Sequence, residues 1–179
     1  MRSATWLIEG AQQAVYALKY GGLPRIADDL AAGMAALRPH ADGPAALVPI
    51  PLATKRLRQR GYNQSELLAR ALAREWRIAV LVDVLVRTRE TPTQTALTPE
   101  TRLANVAGAF EMRNAELGMR NGTQGVNSAF RIRHSTLILV DDVFTTGATL
   151  AEAARALEQA GATRINGLTF ARAAIPDFT

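Results

Sequence analysis

The sequence predicts an α/β fold, an open and mainly parallel sheet with helices on both faces. Three observations lead there. Short apolar runs, above all Ala46-Leu47-Val48-Pro49-Ile50 and Leu137-Ile138-Leu139-Val140, have the continuous hydrophobicity of strands buried on both sides. Helical periods separate such runs, as over residues 63–76 and 148–160. Strand–helix alternation of this kind builds parallel sheets, and their ligands sit at the carboxyl ends of the strands.

Taken in order, the first forty residues read as two helices. Trp6, Leu7, Ala14, Ala17 and Leu18 give a loose helical period that Gly21-Gly22 ends. Pro24 suits the first turn of a second helix, with Ile26, Leu30, Met34 and Leu37 on one face. Residues 39–44, bounded by prolines, form a linker, so residues 1–45 are expected as a helical segment packed on a core domain of 46–179. A buried strand over 46–50 precedes a helix over 63–76, with Asn63 as N-cap and Glu66 in the capping-box position. Residues 79–86 read as a strand, 88–101 as a threonine-rich loop, 99–106 as a short helix and 108–112 as a strand. The stretch 114–128 is a polar surface excursion. A central strand over 136–140, a helix over 148–160 closed by Gly161, and a last strand over 163–170 complete the chain.

Composition narrows the function classes. A chain of 179 residues with 48% apolar and 21% charged residues fits one soluble domain. No apolar run is long enough to cross a bilayer, and none follows Arg2 as a signal peptide would require, so the cytoplasm is the expected location. Cysteine is absent, which excludes disulfides, thiolate metal sites and cysteine nucleophiles. His40 and His134 are the only histidines, too few for an imidazole zinc site. Net charge is +5, and Lys19 and Lys55 are the only lysines among 21 cations. Guanidinium groups grip phosphate in a two-pronged way, so the arginine excess suits a polyanionic ligand, although GC-rich coding accounts for much of the total.

The chemistry concentrates over residues 137–149. Four apolar residues feed Asp141 and Asp142 at a strand's end, and a small, hydroxyl-rich loop then leads into a helix. Thr145, Thr146, Gly147, Ala148 and Thr149 offer consecutive backbone N–H groups at a helix N-terminus, a ready anion site. Gly147 permits a turn that a side chain would block. The loop has no lysine, which disfavours a nucleoside triphosphate, and no G-x-G-x-x-G, which disfavours a dinucleotide. Two acids beside a phosphate cradle would repel the phosphate unless a group lies between them. A ribose does so: its hydroxyls donate to the carboxylates while its 5-phosphate sits in the loop, and Mg²⁺ shares the acidic side.

This run resembles the motif by which type I phosphoribosyltransferases bind 5-phosphoribosyl 1-pyrophosphate (PRPP). Asp141 and Asp142 are then the ribose-hydroxyl and Mg²⁺-linked carboxylates, and the loop from Thr145 to Thr149 holds the 5-phosphate. A pyrophosphate also needs cations. Lys55, Arg56, Arg58 and Arg60 follow the strand at 46–50 with no acid among them, and Lys55 or Arg56 is expected to face the leaving group. The plain alternative is a solvated basic turn. The loop from Arg87 through Gln94, with Arg102 and Asn105, lies where related enzymes keep a mobile hood that excludes water. No general base stands out, since a lone histidine before a strand, such as His134, is more often structural.

Several segments together are similar to the ComF family of competence-associated, phosphoribosyltransferase-like proteins. They are Val48-Pro49-Ile50-Pro51-Leu52, the run from Arg56 to Ala69, Arg89 to Gln94 with Arg102 and 105–110, and the early Leu18-Lys19-Tyr20. The resemblance implies a role with incoming single-stranded DNA in natural transformation, beside a helicase-like partner. Members usually begin with a four-cysteine zinc-binding module. This chain has no cysteine, so the module is missing or the chain starts after it. Two functions follow. One is a Mg²⁺-dependent phosphoribosyltransferase with an unidentified acceptor, displacing pyrophosphate at the ribose anomeric carbon. The other is a non-catalytic PRPP-sensing or single-stranded-DNA-handling module on the same fold. A base-salvage enzyme proper is disfavoured by the early basic segment.

Overall fold

A computed structural model describes residues 1–89, 106–113 and 134–174. Its centre is a five-stranded sheet in the order β1-β7-β6-β2-β3, and every pairing within it is parallel. The strands are β1 (Arg2–Trp6), β2 (Ala45–Pro49), β3 (Ala79–Val80), β6 (Thr136–Phe144) and β7 (Arg164–Arg172). A separate antiparallel pair, β4 (Leu85–Arg87) with β5 (Phe110–Met112), lies beside it.

Alternation along the central strands sends successive side chains to opposite faces. Leu137 and Leu139 of β6 join Ala46 and Val48 of β2 in one core, with Leu150, Ala153 and Leu157 from α5 (Ala148–Gln159) and Phe110 from β5. Ile138 and Val140 join Leu47 in the other core. There they meet Leu18 of α1 (Glu9–Tyr20), Leu30 and Met34 of α2 (Ile26–Met34), and Leu68 and Leu72 of α4 (Gln64–Trp76). A sheet clad on both faces explains why its central strands are apolar without a break. Burying one such leucine contributes roughly 1.5–3 kcal/mol.

The opening residues depart from the sequence expectation. Residues 2–6, read as helical, form β1, which pairs along β7 from Arg2↔Leu168 to Trp6↔Arg172. Residues 1–45 therefore supply an edge strand of the sheet as well as two helices, and the sheet runs through both of the expected segments. The basic run is not a loop but a short helix, α3 (Thr54–Arg60), closed by Gly61 at φ +82. The strand expected over 79–86 divides into β3 and β4, which belong to different sheets. The central strand continues past Val140 to Phe144, and the last strand reaches Arg172. The short helix expected over 99–106, apart from Val106, and the excursion over 114–128 lie outside the described residues.

Candidate active site

Each strand of a parallel sheet ends at the same edge, so the carboxyl ends of β2 and β6 open side by side. Ile50 N–H donates to Val140 O at 3.0 Å just past the last β2 residue. From that edge β2 leads into α3, and β6 leads through Thr145-Thr146-Gly147 into α5. The acidic pair, the small loop and the basic helix thus share one edge, as the sequence implied.

The two aspartates sit in different surroundings. Asp142 follows Ile138 and Val140 in the alternation and is buried, with 3% exposure. Lys19 Nζ from the last turn of α1 lies 2.5 Å from its Oδ2, the one ionic partner of that otherwise unsatisfied oxygen among the described residues. Tyr62 helps set this distance, because its hydroxyl donates to Leu18 O at 2.6 Å and ties the entrance of α4 to the end of α1. Arg60 lies 5.3 Å from the Tyr20 ring and donates to Gln64, extending the same tie to α3.

Asp141 is only partly buried. Its Oδ1 accepts from Ser65 Oγ at 2.9 Å and from Asp142 N–H at 2.9 Å. Ser65 is itself buried in the first turn of α4, where Asn63 is the N-cap: the Asn63 side chain accepts from Ser65 N–H and donates to Ile50 O. The capping residue therefore pins the helix to β2 and aims the serine at β6. Glu66, expected to complete a capping box, pairs instead with Arg70. Burial first, and the neighbouring Asp142 second, push the Asp141 carboxyl up to about 7, while Lys19, the Asp142 amide and Ser65 pull it back. A partly buried carboxylate with a raised pKa is one that a cation or a hydroxyl donor would stabilise in its charged form.

The loop turns into α5 at a glycine. Gly147 is the N-cap of α5 with φ +81, a left-handed conformation that glycine adopts without strain. A Cβ there would come within 2.6 Å of the Phe144 ring, so the position is closed to side chains for a second reason. Ala148 N–H points back to Thr146 Oγ1 at 3.4 Å, a long contact. Thr145, Thr146 and Thr149 are partly buried. A cavity of about 400 Å³ touches the loop at Thr146 and Gly147 but runs along α5 to Glu158 and Gly167, and neither Asp141 nor Asp142 lines it.

Lys55 and Arg56 stand in the first turn of α3, with Lys55 exposed and Arg56 partly buried. Of the hood, Gln94, Arg102 and Asn105 lie outside the described residues. Its base is described: the Arg87 guanidinium lies 5.2 Å from the Phe110 ring, and Gly108 N–H donates to Glu152 of α5 at 2.6 Å. His134 precedes β6, at the end of the strand remote from the loop, so it is no part of this site.

A Mg²⁺ ion fits the residues present as a substrate-linked ion. Among the described residues no group of three or more acidic or imidazole side chains could hold a metal alone. Asp141 offers one carboxylate beside the place where substrate oxygens would lie, the sparse protein coordination usual for Mg²⁺. Sequence reasoning missed Lys19 and Ser65. The signals were present, since Lys19 is one of two lysines and Ser65 lies two residues after a capping asparagine.

Comparison with known proteins agrees with this geometry. The model of the phosphoribosyl transferase domain matches residues 59–175. Competence protein F of Haemophilus influenzae is 35% identical over 130 residues, 73% of this chain and 51% of its own length. DNA utilization protein YhgH of Escherichia coli is 35% identical over 122 residues, 68% of this chain and 47% of its own. Competence protein ComFC of Bacillus subtilis is 34% identical over 127 residues, 70% and 44% respectively. The chain spans about half the length of the curated relatives it matches. No helix among the described residues is long and apolar enough to cross a membrane. With the domain match, these relatives and the strand–loop–helix at the sheet's edge all in agreement, the chain belongs to the ComF family of type I phosphoribosyltransferase-like proteins.

Proposed function

We propose that this protein binds PRPP with Mg²⁺ at the carboxyl edge of β2 and β6 and transfers its phosphoribosyl group to an acceptor. The reading rests on Asp141, a partly buried carboxylate with a raised pKa, placed one strand-end before the amide loop closed by Gly147. Asp141 accepts from ribose hydroxyls, and Asp142, held by Lys19, fixes the strand end that presents it. The amides and hydroxyls of Thr145, Thr146, Gly147, Ala148 and Thr149 hold the 5-phosphate. Lys55 and Arg56, in the first turn of α3 at the same edge, face the pyrophosphate. Bound Mg²⁺ supplies charge that offsets the pyrophosphate. The protein's share of the rate is orientation of the ribose and support for the charge on the leaving group. Titration calorimetry with Mg-PRPP tests the reading. Wild-type protein is expected to bind and Asp141→Asn to lose at least tenfold in affinity; equal affinities would remove the assignment.

A second reading has its own support, since the relatives' names speak of competence and DNA utilization rather than of transfer. In it the same site senses PRPP without turnover, in a protein of the cytoplasm that handles single-stranded DNA beside a helicase-like partner during natural transformation. Release of pyrophosphate from PRPP, stimulated by one of a panel of acceptors, supports the transferase. PRPP binding without release in any mixture supports the sensor.

A further inference from the structure

A cavity of about 760 Å³ lies at the other edge of the sheet. Its lining includes Arg2, Ala45 and Ala79, the first residues of β1, β2 and β3, whereas the phosphate loop follows the last residue of β6. In a parallel sheet these are opposite ends. The volume falls within the roughly 300–1,000 Å³ of small-ligand sites.

The lining is cationic. Arg2, Arg38, Arg77 and His40 contribute to it, and no carboxylate stands among its described lining residues. Arg2 is anchored, its Nη1 donating to Leu37 O and Arg38 O at 3.4 and 3.3 Å. The nearest described acid, exposed Asp42, is engaged by His40 at 2.8 Å. Elsewhere in the described fold Arg70 pairs with Glu66, Arg74 with Asp28 and Arg155 with Glu152, whereas exposed Arg25, Arg58, Arg113 and Arg164 make no ion pair with a described residue, so what distinguishes this cavity is that its arginines converge on one acid-free space. No such ion pair is made by Arg38 or Arg77, both exposed.

Arg77 carries a further cost. At φ 53 it is the only non-glycine residue with positive φ among the described residues, in a position that glycine would occupy with less strain. Its place at the end of α4 gives a cation favourable contact with the helix dipole. That accounts for a charge near the helix end. It does not account for three guanidinium groups lining one cavity without a counter-ion.

We propose that this cavity is a second phosphate-binding site, in which Arg38 and Arg77 grip the phosphoryl groups of a nucleotide or of a nucleic-acid strand and Arg2 supports the rim. The described lining has no Phe, Tyr or Trp. Bases therefore find no stacking platform, and recognition is of phosphate, steep in salt and indifferent to base.

The test uses the full chain and two probes, a fluorescently labelled oligothymidylate followed by anisotropy and inorganic triphosphate followed by calorimetry. Each phosphate of a single strand neutralised by a cation contributes about 0.7 to the slope of log affinity against log salt. Arg38→Gln with Arg77→Gln is expected to make that slope shallower by about 1.4 and to weaken strand binding roughly 25-fold at about 0.1 M salt. Mg-PRPP titration of the same variant is expected to match wild type, because the loop lies at the opposite edge. Arg77→Gly keeps the assay decisive if the double variant folds poorly: it should melt higher than wild type and still bind the phosphate probe more weakly. Binding of the strand alone identifies a nucleic acid as the source of phosphate, and binding of triphosphate identifies a free nucleotide. Failure of wild type to bind either probe, or equal affinities and salt slopes in wild type and both variants, overturns the proposal.

Discussion

Two regions meet at the end of β6, one on each side of a single peptide bond. On the α1 side Asp142 is sealed from water and neutralised by Lys19. On the loop side Asp141 keeps part of its surface, hydrogen-bonds to Ser65, and has its pKa raised to about 7. The same side chain, repeated, is closed by an ion pair in one position and left partly open, with a raised pKa, in the next. The cause is tertiary: Lys19 of α1 reaches the Asp142 carboxylate, and Ser65 in the first turn of α4 reaches that of Asp141. The motif alone gives both acids equal standing.

The largest effect should come from breaking the sealed side. Asp142→Ala leaves the Lys19 ammonium without its partner, and stability is expected to fall by about 2–3 kcal/mol, the low end for a broken buried pair because Lys19 retains some exposure. The urea midpoint measures this. Lys19→Met combined with Asp142→Leu should recover most of the loss, which it would not do if Asp142 acted mainly on substrate.

Next in size is the loop. Gly147→Ala should cost roughly 1–2 kcal/mol for left-handed backbone and more for displacing the Phe144 ring. Mg-PRPP affinity should fall with it. Adding Phe144→Leu should return part of the stability, because only the ring contact is relieved.

Ser65→Ala removes a donor to a carboxylate, with an expected loss on the order of 1.5 kcal/mol. It should also raise the Asp141 pKa further, since that bond is one of the influences lowering it. The pH at which Mg-PRPP binding reaches its plateau would move upward, a shift visible in titrations across pH 6 to 9.

The smallest effect has the most telling sign. Asp141 has a folded pKa of about 7 against the ordinary 3.8, so between those values the folded state keeps a proton that the unfolded chain has released. Its contribution to stability therefore falls as pH rises from about 4 to 7 and levels off above. Asp141→Asn should abolish that fall, leaving the apo protein more stable at pH 8 by on the order of 1 kcal/mol while weakening PRPP binding. A stabilised variant with intact binding would erase the contrast between the two aspartates.

Much of this was legible in the sequence, and the exceptions have physical causes. The strand–loop–helix could be read because strand, acids, hydroxyls and helix are contiguous from 137 to 149. β1 could not, because its five residues gain their strand character from β7, more than 160 residues away, and local periodicity carries no record of a partner. α3 has no buried residue, so its helical turns leave no apolar stripe. The unequal standing of Asp141 and Asp142 was equally invisible, since it depends on Lys19 and Ser65 arriving from two other helices.

The pairing of the first strand with the last sets a schedule for the chain as it is made. Residues 2–6 are made more than 150 residues ahead of residues 164–172 and find their neighbours only when those emerge. At a synthesis rate of roughly 5–20 residues per second, that interval is about ten to thirty seconds. Throughout it β1 lacks its partner, and once residues 136–144 are made β6 too has a bare hydrogen-bonding edge until β7 enters between them. The nascent protein is thus most exposed to aggregation and to chaperones just before its final strand is inserted.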